Sequence, residues 1–434
     1  MLRYLNGNNK NFINTIKSIL DDRRQLDQKK LSIVKKIIMD VKNNDNKSLI
    51  KYEKKFSKAK KIEKKDLKFS KLEILRISKK LNKETKKAID LAYSRIVKFH
   101  KKQKINIYKF SDDYNNTFQY KTSAIDRVGV YVPGGNASYP SSVLMNCIPA
   151  KIAGVKEIYM TTPCINKKYN PALIYAAQKC NVKEIYKVGG AQAVAAFAYG
   201  TSSIKKVDKI VGPGNEFVTL AKKEVFGNVG IDMIAGPSEV TVLADNSSKA
   251  EWIAADLIAQ SEHDKNSQSI LITKNIKLIK EVNIFIKDQL NKLPKKKIAQ
   301  ESIKKFGLAI YCKNNNKIID IINEIAPEHL ELCINNPVKI LNKIKNAGSI
   351  FLGNYSPEAM GDYLAGPNHV LPTSGSAKFS SGLSVYDFMK RHSVIKISKS
   401  GIERFGPSVI NLAEYENLDG HAYSVKVRLK KGKK

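Results

Sequence analysis

From Arg127 onward, short β-rich runs alternate with helix-forming runs, and brief Gly/Pro turns join them. "RVGVYVP" is stopped by "PGGN" and followed by the small-residue helix "SSVLMNCIPAKIAGV" and the strand "EIYMTTP". "PALIYAAQKCNV", "EIYKVG", "GGAQAVAAFAYG" and "KVDKIVG" continue the alternation, then the turn "PGNE" leads into "FVTLAKKEVFG". Parallel neighbours need a crossover long enough to hold a helix, so this rhythm predicts a parallel α/β sheet. A second alternating region runs from "EVTVLAD" through "SKAEWIAADLIAQ" and "SQSILIT" to about residue 355. Residues 1–100 read mainly as amphipathic helices; "RQLDQKKLSIVKKIIMDVKN" spaces its apolar residues by three and four. The last fifty residues read as a separate strand-and-helix tail. A chain of 434 residues exceeds what one hydrophobic core serves, so two or three domains are expected.

Composition excludes several classes. No run approaches ~20 uninterrupted apolar residues, so no membrane span is expected. The start "MLRYLNGNNKNF" lacks the pattern of a secretory signal. Five scattered cysteines without a CxxC pair point to reduced thiols in a cytoplasm. The net charge of +36 invites a nucleic-acid reading, but its distribution does not support one. Between residues 121 and 270 there are 16 Lys+Arg against 13 Asp+Glu. The excess lies in flanking runs such as "KYEKKFSKAKKIEKKDLK" and the tail "KVRLKKGKK", without interleaved aromatics. Solvated lysine faces are the expectation.

Three features carry chemistry. Gly134 and Gly135, Gly189 and Gly190, and Gly212 with Gly214 each follow a predicted strand. There backbone amides and helix N-termini can meet an anionic ligand, although none of the turns matches G-x-G-x-x-G. In "LIAQSEHDKNSQ", Gln260 and His263 are three apart, hence neighbours on a helix expected to run to about the histidine. Ser248 and Glu251 would form a capping box at its start. Carbonyl oxygen and imidazole nitrogen can bind zinc, and the remaining ligands would come from distant segments; a plain helix-end histidine is the alternative. "NEIAPEHLEL" sets Glu328 beside His329 after a proline, an acid–base pairing at an expected helix start or a surface cap. "YSPEAMGDYLAGPNHVLPTSG" places Asp362 and His369 in a long, polar loop expected to be functional.

Taken together, "GVYVPGG", "VGGAQAVAAFAYGT", "VDKIVGPGN", "IDMIAGPSEV", "LIAQSEHD", "APEHLEL", "AGSIFLGNYSPEAMGDYLAGPNHVLPT" and "AEYENLDGHA" resemble histidinol dehydrogenase, in family order over about 125–425. The resemblance implies oxidation of L-histidinol through L-histidinaldehyde to L-histidine, using NAD and one Zn²⁺ per subunit. It implies zinc ligands Gln260, His263, Asp362 and His421, and the acid–base pair Glu328 and His329. Substrate contacts would be Ser238, Gln260, His263, His329, Asp362, Glu416 and His421, and NAD contacts Tyr131, Gln192 and Asn215. Cys147 would be a small buried hydrophobe rather than a nucleophile.

The fold implied is α/β, with two incomplete Rossmann-like parallel-sheet domains (aldehyde-dehydrogenase-like). Its expected boundaries are an N-terminal helical arm at 1–25, a zinc and catalytic domain at 26–130 plus 239–382, an NAD domain at 131–238, and a C-terminal dimerisation tail at 383–434. A cytoplasmic homodimer sharing its active site between subunits is expected, with no nucleic-acid or membrane partner. Ser261 and "DYLAG" depart from the usual pattern without removing a ligand. The rivals are a zinc/NAD dehydrogenase for another small alcohol and a basic nucleic-acid binder. Glu416 and His421 favour histidinol.

Overall fold

The computed structural model describes residues 1–24, 28–57, 61–103, 107–134, 139–164, 169–294 and 296–430. Gly135 of the "PGGN" turn, Lys58–Lys60 of the basic run and the last four residues of the tail lie outside them. In chain order the strands are β1 (Arg3–Asn6), β2 (Lys109–Ser111), β3 (Thr117–Ala124), β4 (Arg127–Tyr131), β5 (Glu157–Thr161), β6 (Glu184–Tyr186) and β7 (Lys209–Val211). They continue as β8 (Gly230–Ile231), β9 (Glu239–Ala244), β10 (Gln268–Thr273), β11 (Leu308–Tyr311), β12 (His329–Cys333), β13 (Ser349–Leu352) and β14 (Met389–Lys396). The chain divides into two compact units, one of residues 1–103 and 125–387, the other of residues 104–124 and 388–434.

The larger unit holds two parallel sheets, as the strand–helix rhythm predicts. One runs β6-β5-β4-β7-β8 and the other β1-β11-β10-β9-β12-β13. Every residue of β9, β10 and β12 is buried, because helices cover both faces of such a sheet and leave no solvent side for alternation. "HLELC" is therefore a central strand: Pro327 and Glu328 precede β12, not a helix as their spacing suggested.

The first hundred residues are divided between the two sheets. Residues 1–25, expected as an arm, supply β1 at the edge of the six-stranded sheet, paired with β11. The helix Phe12–Arg24 adds Phe12, Ile16 and Leu20 to that sheet's core. The helix Gln28–Phe56 instead buries Val34, Ile37, Ile38 and Val41 in one cluster with Val194 and Phe197 of the five-stranded half. Apolar positions at intervals of three and four make one continuous stripe, so burial holds the helix to that sheet. Strand β4 likewise lies in the five-stranded sheet. Among the described residues, no helix is long and apolar enough to cross a membrane.

The smaller unit is an antiparallel sheet, β14-β3-β2, with the helices Lys399–Tyr415 and Asp419–Leu429. The strand of the expected tail thus finds its partner nearly 270 residues earlier, Met389 opposite Ala124.

One buried carboxylate ties the first hundred residues to the glycine turn after β6. The helix Gln28–Phe56 kinks at Asp45 (φ 53°) and then presents Glu53, which is 2% exposed. Its Oε1 accepts from Gly189 N (3.0 Å) and Gln192 Nε2 (2.8 Å). Burial pushes this carboxyl from 4.5 up to about 6, against those two donors. The folded protein then binds the proton more tightly than the unfolded chain. That contribution is fully present below pH 4.5 and is lost as pH rises through 6, amounting to about 2 kcal/mol. Glu53→Gln keeps an oxygen for both donors and removes the charge. Urea unfolding should show this variant gaining on wild type by up to about 2 kcal/mol between pH 4.5 and 7. Glu53→Ala should lose about 1–3 kcal/mol at pH 4.5, because both donors are left buried without an acceptor, and that deficit should shrink by up to about 2 kcal/mol at pH 7, where wild type carries the buried charge. A Glu53→Gln difference independent of pH would count against a buried charge here.

Candidate active site

Parallel register brings Ser238 and Glu239, at the start of β9, beside Glu328 and His329, at the start of β12. The Glu239 peptide groups then hold both side chains. Its N–H donates to Glu328 Oε2 (2.9 Å), and its carbonyl oxygen lies 3.1 Å from His329 Nδ1. A carbonyl can only accept, so the hydrogen sits on Nδ1 and the Nε2 lone pair faces the cavity. Burial pushes the imidazole down to about 3, so it is neutral near pH 7. Burial pushes the Glu328 carboxyl well above the usual range, with the Glu239 N–H pulling it back. Unlike ordinary open α/β sheets, which bind at the carboxyl ends of their strands, this half gathers its polar groups at the amino edge.

The helix Ala250–Ser261 brings further groups to that edge by running back along β9. It ends at Ser261, so His263 lies in the turn beyond it rather than on its last turn. The capping box does not form. Lys249 is the N-cap, while Ser248 Oγ has both the Cys333 carbonyl and Asn354 Oδ1 (2.7 Å) within reach of its single hydrogen. Gln260 is wholly buried; its Nε2 lies 3.2 Å from His329 Nδ1, a contact between two donors in this tautomer rather than a hydrogen bond, and its Oε1 has no protein partner.

The expected loop contains a short helix, Glu358–Tyr363, whose i, i+4 pair Glu358 and Asp362 faces the same way. His329 Nδ1 is 3.6 Å from the Glu358 carboxylate, and His329 Nε2 is 3.7 Å from that of Asp362. His369 Nδ1 is 3.8 Å from Asp362. Ligand atoms of His263, Glu358 and Asp362 all lie within 4.8 Å of one another. Burial lifts Asp362 to about 7, and burial followed by the neighbouring acids lifts Glu358 well above its usual range. Two carboxylates, an imidazole and the unpaired Gln260 oxygen form a donor set that fits Zn²⁺. Beside them opens a cavity of ≈ 330 Å³ lined by His329, Asp362, His369, Arg95, Phe351 and Leu371 among others.

In the five-stranded sheet the strand order reverses between β4 and β7, and the glycine turns gather at the carboxyl ends of those strands, where such sheets take ligands. Tyr131 closes β4, and its hydroxyl accepts from Gly190 N (3.1 Å). Gln192 follows two residues later, its Oε1 buried without a protein partner. Gly212 has φ +109°, and a Cβ there would overlap the Tyr131 carbonyl oxygen, so only glycine lets these turns meet. Lys222 and Asp232, a buried ion pair, fix Gly212 through its carbonyl (3.0 Å) and its N–H (2.7 Å). Exposed Asn215 caps the helix Glu216–Val225.

Ser238 is half-buried at the amino edge of the six-stranded sheet. Glu416 and His421 belong to the smaller unit, both exposed, at the end of one helix and the start of the next. Cys147 is buried, and its contact with Cys180, together with burial, raises its thiol well above the ordinary range, which makes it a poor nucleophile. The sequence reading overlooked Glu358, although its i, i+4 spacing from Asp362 was available as a signal. It also overlooked Glu239 and Arg23, which have no motif of their own.

The sequence model of the histidinol dehydrogenase family matches residues 21–429. Histidinol dehydrogenase from Pelagibacter ubique is 53% identical over 432 residues, covering 99% of this chain and 100% of its own. The Acinetobacter baylyi histidinol dehydrogenase is 46% identical over 428 residues, with 99% and 100% covered. The crystal structure of histidinol dehydrogenase from Elizabethkingia anophelis superimposes with a TM-score of 0.92 at 39% identity, covering 99% of this chain and 98% of that one.

Proposed function

The chain belongs to the histidinol dehydrogenase family, the enzymes that complete histidine biosynthesis, and on that premise we propose the chemistry of its site: two successive NAD-linked oxidations, L-histidinol to L-histidinaldehyde to L-histidine, at a zinc-holding centre in the cytoplasm. The observation that carries this is the meeting of Glu328 and His329 with Gln260, His263 and Asp362 at one edge of the six-stranded sheet.

Gln260, His263 and Asp362 would hold the zinc together with His421 of the partner subunit in a homodimer, and Glu358 borders the same cluster. When bound, the ion supplies a fixed positive charge that anchors nitrogen donors of the substrate. NAD would be held at the turns carrying Tyr131, Gln192 and Asn215 in the 131–238 half, and would supply the hydride acceptor for each oxidation. His329 Nε2 takes the hydroxyl proton as the hydride leaves the alcohol carbon. Its Nδ1–H stays on the Glu239 carbonyl, so the ring keeps its orientation through the step. Glu328, more basic than an exposed glutamate because it is buried, takes a proton from water as that water adds to the aldehyde. His329, protonated in the first oxidation, gives that proton to the aldehyde oxygen as the water adds, so the hydrate carries a hydrogen on carbon and a hydroxyl, and the neutral ring can take the hydroxyl proton again. Ser238 and the partner's Glu416 would complete the substrate contacts.

Purified enzyme given L-histidinol should form two NADH per histidine. Exhaustive chelation should abolish this activity and zinc should restore it. Full turnover in protein shown to be metal-free would contradict the zinc centre.

Glu328→Gln should slow the second oxidation by roughly 10²–10⁴-fold while affecting the first much less, because only the second needs an activated water. Single-turnover NADH formation from the alcohol and from the aldehyde separates the two steps. Equal losses on both would remove the assigned role.

The shared site has its own test. Inactive His263→Ala and His421→Ala chains, unfolded together and reassembled, give mixed dimers in about half the cases. Each mixed dimer holds one site lacking both ligands and one intact site, so roughly a quarter of all sites should recover. Activity no higher than that of the separate variants, with mixed dimers demonstrated, would place all four ligands in one chain.

A further inference from the structure

Arg23 lies in the last turn of the helix Phe12–Arg24, in the stretch the sequence offered only as an arm, yet its side chain is 1% exposed. A buried guanidinium needs partners for its donors, and this one spends them all on the approach to the catalytic pair. Nη1 pairs with the Glu239 carboxylate and lies 3.5 Å from Gln268 Oε1. Nη2 donates to the carbonyls of Pro237 (2.7 Å) and Ser238 (3.2 Å), and Nε to that of Asn266 (3.0 Å). The Glu239 carboxylate also accepts from Ser374 N at 3.2 Å. Arg23 therefore grips residues 237–239 through both main chain and side chain, and the Glu239 peptide groups are what hold Glu328 and His329.

We propose that Arg23 is a positioning residue for the oxidation: by fixing residues 237–239 it sets where the Glu328 carboxylate and the His329 ring stand. The inference rests on the assignment of Glu328 and His329 as the reacting side chains. A planar fork is required, because a lysine would satisfy the charge of Glu239 but could not reach three carbonyls as well. Arg23 touches none of Gln260, His263 or Asp362, and it holds Ser238 by its main-chain carbonyl rather than its side chain, so it should affect the rate more than the binding of zinc or substrate.

The test compares Arg23→Gln and Arg23→Lys with wild type for kcat, KM and zinc content. Arg23→Gln should lose about a hundredfold in kcat, the cost of displacing reacting groups by about 1 Å, with KM for L-histidinol and NAD within about twofold. Zinc per chain should be unchanged. Arg23→Lys should recover part of the lost kcat, because it keeps Glu239 paired. If Arg23→Gln does not fold, Arg23→Lys carries the test alone, with kcat expected about tenfold down at unchanged KM. Wild-type kcat in either variant, or a loss that appears in KM or zinc content instead, overturns the proposal. Full turnover by Glu328→Gln and by His329→Gln would instead show that the assignment beneath it is at fault.

Discussion

Parallel pairing of β9 with β12 is the constraint on which the site depends. It sets Val240 opposite His329 and so aligns the starts of two strands that lie about ninety residues apart in the chain. Once those starts are level, one residue, Glu239, can offer its N–H to Glu328 and its carbonyl to His329. The helix after β9 must run back along the sheet, so its last turn, with Gln260, reaches the same edge. A slip of one residue would turn every side chain of β12 to the opposite face and separate the pair from that turn.

Burial sets the electrical character of this edge. Glu328, Glu358 and Asp362 are all shifted toward the protonated form, and His329 and His369 toward the neutral form, the latter to about 4. A site that withholds water makes charge expensive unless a partner is present. Such a place suits a bound cation, whose charge would hold the neighbouring acids ionised.

Each parallel sheet also carries one ion pair in which both side chains are nearly inaccessible, and among the described residues no other Lys or Arg pair is so deeply buried. Arg23–Glu239 secures the start of β9, and Lys222–Asp232 secures the Gly212 turn after β7. Both pairs pin main chain at the edges where the clustered polar side chains and the glycine turns gather. Stability is a poor explanation for them, since replacing buried pairs by apolar residues is often neutral or stabilising. Fixed geometry at the two edges accounts for them better. The remaining lysines of this strongly basic chain are largely exposed, in keeping with solvated faces.

Local sequence determined what depends on near neighbours. Strand and helix alternate with short turns from Arg127 on, and that period alone dictates parallel sheets. Gly212 was legible as a turn, and the motifs around Gln260, Glu328 and Asp362 were legible as chemistry. Tertiary structure decided the rest, because those outcomes depend on pairings no local pattern encodes. "APEHLEL" reads as a helix start until β9 and β13 flank it and make it a strand. Residues 1–25 read as an arm until β11 offers an open edge to β1. Ser248 reads as a cap until the Cys333 carbonyl and Asn354 compete for its hydroxyl. Arg23 has no periodicity or neighbour to mark it, and only the folded chain brings five acceptors around one guanidinium.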